Sequence, residues 1–93
     1  MHRALEVANV RFRPALDADR ARGLLGWASF ELGGLRVDGT QIRRTRAGHV
    51  SMYWPERMAG TRRHPIVQPV DRDVRLAIER EVIAELHARG VVS

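Results

Sequence analysis

The sequence predicts an α+β domain: a small antiparallel β-sheet of about four to five strands covered by one long C-terminal α-helix. Three observations predict it. Up to Trp54, apolar and polar residues alternate in successive short segments, the period of half-buried strands. Between two of these segments stands Gly33-Gly34, a pair suited to the positive φ angles of a tight hairpin. From Asp71 to Arg89 the pattern changes, and neither glycine nor proline interrupts it. No repeat or low-complexity segment divides the 93 residues, so residues 1–93 are read as one domain with a core of about 5–89.

The first strand is "VANVRFRP". Ala8, Val10 and Phe12 alternate with Asn9, Arg11 and Arg13, and Pro14 ends the run. Leu5 and Val7 are out of phase with that set, which calls for a bulge near Ala8. After the polar "DADRARG", the segment "LLGWASFEL" sets Gly26, Ala28, Phe30 and Leu32 against Trp27, Ser29 and Glu31. Its small residues beside aromatics suggest a central strand with something close above it. "LRVDGTQI" follows the glycine pair, with Leu35 and Val37 on one face, and pairs antiparallel with its predecessor. "HVSMYWP" supplies the next strand, Val50, Met52 and Trp54 alternating with His49, Ser51 and Tyr53.

The helix is predicted over about 71–89. Asp71 is its N-cap, while His87, Arg89 and Gly90 mark its C-terminus. Val74, Ala77, Ile78, Val82 and Leu86 share one face, whereas Leu76 and Ile83 stand further round the cylinder and want a second partner. A neighbouring subunit is the expected one, since a two-layer domain has no further layer to offer and a chain this short is often helped by oligomerisation.

Composition narrows the function classes. Without cysteine there are no disulfides, thiolate zinc sites or thiol nucleophiles. No secretory apolar region or bilayer-length apolar run is present, so a soluble, cytoplasmic protein without membrane association is expected. All 16 basic residues are arginine and the formal net charge is +5. Codon bias accounts for the missing lysine; the positive surplus attracts polyanions whatever its origin, and arginine forks pair with phosphate and stack on bases.

The order of local motifs resembles the stage V sporulation protein G (SpoVG) family of bacterial regulators. "VANVRFRP" resembles its opening strand, "LRVDG" its strand and turn, "WPER" its Met-Pro-Ser-Lys-Arg segment, and "HPI" its His-Pro-Ile before the C-terminal helix. Pro55, Arg57, His64, Pro65 and Ile66 match that pattern directly. The segment from Glu56 to Arg63 is shorter than in the family, and Arg43, Arg44 and Arg46 lie where the family more often has a neutral turn. The resemblance implies a dimeric α+β domain that binds DNA or RNA and affects sporulation, septation or other gene expression, with no catalysis and no cofactor.

The candidate nucleic-acid-binding residues are Arg43, Arg44, Arg46, Arg57, Arg62 and Arg63, expected at strand ends and in the loop after them, where they would track phosphates. The competing reading is a set of solvated turn arginines. Tyr53 and Trp54 invite base stacking, but alternation puts them on opposite faces, so at least one belongs to the core. His64 lacks the partners of a catalytic or metal-binding histidine, and the four histidines have no metal-ligand spacing. With Pro55, Pro65 and Ile66 it is expected to lock an extended segment against the sheet. The helix arginines Arg72, Arg75, Arg80 and Arg89 are interleaved with Asp73, Glu79, Glu81 and Glu85, which argues against a recognition helix. A dimeric DNA- or RNA-binding regulator is therefore expected, neither an enzyme nor a small-molecule or metal binder. The alternative is a dimeric protein–protein interaction module.

Overall fold

The structure, a computed structural model, describes residues 6–93. It contains strands β1 (Val7–Pro14), β2 (Leu24–Leu32), β3 (Leu35–Arg44), β4 (Val50–Tyr53), β5 (Glu56–Ala59) and β6 (Arg62–Pro65). A short helix α1 (Asp17–Ala21) joins β1 to β2, and α2 (Arg72–Ala88) closes the chain. The first four strands form an antiparallel meander in the order β1-β2-β3-β4, and β5 and β6 form a separate two-stranded sheet. The expected α+β fold is thus present, with a hairpin where the sequence suggested a loop.

Side chains explain the register. The β2–β3 turn places Gly33 at φ 52° and Gly34 at φ 83°, the left-handed pair that a two-residue hairpin requires. In β2 the expected alternation holds: Gly26, Ala28, Phe30 and Leu32 are buried, while Trp27, Ser29 and Glu31 are half-buried on the other side. Gly26 admits no side chain, because an added Cβ would lie 2.3 Å from the Arg13 carbonyl oxygen and 2.6 Å from the Phe12 ring.

The bulge expected in β1 lies between Ala8 and Arg11, where three steps along β1 face two along β2 and Asn9 takes φ 50°. Val7 and Val10 consequently both turn inward, and Ala8, assigned to the apolar set, is exposed. Leu5 lies outside the described residues. A second bulge at Asp38-Gly39 brings Thr40 and Ile42 into line with Val37 on the buried side. The Thr40 hydroxyl donates to the Ala28 carbonyl, so this fully buried polar group keeps a partner. Leu35, expected beside Val37, is 71% exposed where the strands turn back at Gly33-Gly34.

α2 lies across the inner face, meeting both β1 and β4. Its fully buried Ile78, Val82 and Leu86 follow i, i+4, i+8 spacing and pack with Val10, Phe30, Ile42 and Met52. Each such burial contributes about 1.5–3 kcal/mol. Asp71 caps the helix as predicted, its Oδ1 accepting from the amides of Asp73 (2.8 Å) and Val74 (3.1 Å). Trp54 is core: its ring meets Phe30 edge-on at 5.8 Å, and its Nε1 donates to Glu79 Oε2 at 2.6 Å. Ile83 finds part of its partner within the chain, packing half-buried against the core, and with Leu76 it lines a groove along β4.

The β5–β6 hairpin makes its strand pairings only with itself, closed by the Ile66 amide donating to the Pro55 carbonyl at 2.9 Å. The radius of gyration, 13.4 Å, exceeds the roughly 12 Å expected for a domain of this length, as suits an arm that leaves the body.

Candidate nucleic-acid interface

The six arginines singled out in the sequence do not share one surface. Arg43 and Arg44, adjacent on β3, point to opposite sides of the sheet. The Arg44 guanidinium is bound to the Gly48 carbonyl at 3.1 Å and the Ser93 carbonyl at 2.7 Å, so it ties the β3–β4 turn to the C-terminal segment. Arg46 is exposed in that turn. The β3–β4 turn and the β5–β6 hairpin leave from opposite ends of β4, which separates Arg46 from Arg57, Arg62 and Arg63.

Within the hairpin the side chains divide again. Arg57 faces His64 and Ala59 faces Arg62, whereas Met58 and Arg63 form the intervening pair on the other side. Arg63 lies 3.7 Å from Glu56 in an exposed ion pair and lines a groove with Arg43, Tyr53, Met58 and Ile66. His64 is half-buried within this hairpin, and Ile66 is 63% exposed. The His64-Pro65-Ile66 segment is therefore not locked against the main sheet as expected; it closes the arm upon itself.

A different set of residues converges on the sheet face that α2 leaves uncovered. Pairing places Arg13 opposite Trp27, Trp27 opposite Gln41, and Gln41 opposite Tyr53, one row crossing all four strands. The Arg13 guanidinium carbon stands 4.9 Å from the Trp27 ring centroid, a cation–π contact. Arg43 Nη1 donates to Gln41 Oε1 at 3.0 Å, which engages the amide through its oxygen. Arg11, opposite Ser29, and Arg36, opposite Glu31, emerge on the same face. None of Trp27, Gln41 or Tyr53 belongs to the buried core cluster, and Tyr53 is 43% exposed.

This face therefore carries Arg11, Arg13, Arg36 and Arg43 against the carboxylates of Glu31 and Asp38, with two aromatic rings among them. Of these arginines the sequence singled out only Arg43. The polar side of each alternating strand, read together, points to Arg11, Arg13, Trp27, Arg36 and Tyr53; Gln41 and Arg43 join them only through the bulge at Asp38-Gly39.

The helix arginines are partly engaged elsewhere. Arg75 approaches Glu79 at 3.9 Å, and Arg89 pairs with Glu85 at 2.9 Å while donating to the Val10 carbonyl. Among the described residues, no group of three or more His, Asp or Glu side chains is placed to hold a metal ion, and no helix is long and apolar enough to cross a membrane. No protein-family model and no curated protein matches the chain.

Proposed function

We propose that this protein is a small regulatory nucleic-acid-binding protein, acting as a homodimer, that holds DNA or RNA by its phosphates on the uncovered face of the four-stranded sheet. The observation that carries this reading is the convergence of Arg11, Arg13, Arg36 and Arg43 on that one face, with Arg63 beside it across the groove. Each arginine that meets a phosphate releases condensed counterions, so the binding is salt-sensitive and largely independent of sequence. The regulatory role rests on the resemblance to the SpoVG regulators. Nothing in the proposal calls for catalysis, a cofactor or a small-molecule substrate.

Titration of labelled DNA and RNA at several salt concentrations tests it. Binding is expected at micromolar or tighter concentrations in low salt and weakens steeply as salt rises. Alanine at Arg11, Arg13 and Arg43 together is expected to flatten the plot of log affinity against log salt by about 0.7 per lost contact on single strands and about 0.9 on duplex. Alanine at Arg57 and Arg62, on the far side of the hairpin, is expected to change the slope less. Absence of binding at low salt sinks the proposal.

A second reading, a dimeric protein–protein interaction module, is favoured by the exposed Met58, Ile66, Val67 and Val70 along the hairpin and connector. The same titration separates the two, since that module has no affinity for nucleic acid.

A further inference from the structure

Resting on the phosphate-binding reading, we infer that the sheet face takes an unpaired strand of DNA or RNA, stacking one base on the Arg13–Trp27 pair and a second on Tyr53, in preference to a duplex. Phosphate contacts alone do not require aromatic rings, yet Trp27 and Tyr53 stand in the same row as Arg13 and Gln41, outside the core. Apolar burial does not explain them: the inner face of the sheet has its own aromatics, Phe30 and Trp54.

The spacing selects the ligand. Trp27 is on β2 and Tyr53 on β4, two strand intervals apart, or about 10 Å at the usual interstrand distance. Neighbouring bases in a stacked strand lie roughly 3.4 Å apart along the helix axis. Bases seated on both residues are therefore separated from one another, as splayed, unpaired nucleotides are. A duplex keeps its bases inside and offers this face only phosphates, so the rings contribute nothing to holding it.

The residues around the rings suit the same ligand. The Arg13 guanidinium carbon stands over the Trp27 ring, so a base that seats on the pair meets cation and ring together, and a guanidinium N–H can donate to phosphate. Between the two stacking positions, the Gln41 amide, held by Arg43 through its oxygen, is left to donate to a base edge. Arg11 and Arg36 lie on the side of the row nearer the β2–β3 turn and Arg43 on the side nearer the β3–β4 turn, so charge stands on both sides of it.

The experiment compares a labelled single-stranded thymidine oligonucleotide with a duplex of equal length, using the full chain, fluorescence anisotropy and intrinsic tryptophan emission. The single strand is expected to bind more tightly and to quench tryptophan. Trp27→Leu and Tyr53→Leu are each expected to weaken single-strand binding by about 5- to 150-fold, the range for one stacked base, while duplex affinity stays within about twofold. The quench is expected to vanish in Trp27→Leu and persist in Tyr53→Leu. Should Trp27→Leu fail to fold, Tyr53→Leu, at an exposed position on the edge strand, decides the matter.

Equal affinity for the two ligands, or equal losses on both in the leucine variants, overturns the inference and leaves phosphate binding standing. Binding of neither ligand removes both readings. If a second copy of the chain covers this face instead, the leucine variants change the sedimentation coefficient and oligonucleotide leaves tryptophan emission unchanged, which also overturns it.

Discussion

Two neighbouring arginines on β3 show how much the direction of a side chain decides. Arg43 reaches the uncovered face and holds Gln41, whereas Arg44 spends its guanidinium on the carbonyls of Gly48 and Ser93. Arg43→Ala is expected to weaken nucleic-acid binding and lower the salt slope by about one contact, with little loss of stability. Arg44→Ala is expected to do the reverse. Affinity stays near that of the parent, while the midpoint of chemical unfolding falls by an amount worth about 1 kcal/mol, a modest value because these hydrogen bonds are exposed. Parallel anisotropy and urea titrations of the two variants check the split; equal loss of affinity in both would show that Arg44 leaves its carbonyl partners to meet the ligand. Sequence alone does not separate this pair, since the partner that restrains Arg44 lies 49 residues away.

At the scale of elements, the division between body and arm predicts a division in local stability. β2 and β3 are central strands with buried faces, whereas β5 and β6 form an isolated pair of four residues each, and such hairpins are marginal in water. Backbone amides of Met58 and Arg63 are expected to exchange with solvent orders of magnitude faster than those of Ala28 and Phe30 in dilute protein, measurable by hydrogen exchange. Comparable protection at low concentration would mean that the arm is held by contacts within the single chain. The same contrast explains what was legible in the sequence. β2 declares itself because its apolar residues alternate and a glycine pair ends it, and α2 because no glycine or proline interrupts it between the capping Asp71 and Gly90. "ERMAGTRRHP" has no such alternation, because neither side of the hairpin packs on a core, and it reads as a loop. The row from Arg13 to Tyr53 was hidden for another reason. Its alignment depends on two irregularities in pairing, beside Asn9 and Gly39, each of which shifts one strand against the next.

The molecule as a whole combines a basic sheet face with an apolar arm, and the second feature bears on its assembly. Met58, Ile66 and Val67 are 58%, 63% and 43% exposed, and Val70 is fully exposed, in a chain of only 93 residues. Exposed apolar side chains on a hairpin that lacks a third strand, and on the connector that follows it, suit a region that a second copy covers in a two-fold dimer. Val67→Asp combined with Val70→Asp places charge in that surface and leaves the buried core of the single chain intact. Sedimentation of the parent is expected to show a dimer that dissociates on dilution, and the double variant a monomer at every concentration. A parent that stays monomeric throughout removes the dimer from the proposal. If the proposed dimer forms, two sheet faces can engage one long strand, and the second engagement is then intramolecular. The double variant is therefore expected to lose about 10- to 100-fold in affinity for an oligonucleotide long enough to reach both faces, yet to bind an oligonucleotide that fills one face as tightly as the parent does. Equal losses on long and short strands would place the hairpin arm in direct contact with the nucleic acid, with dimerisation making no separate contribution.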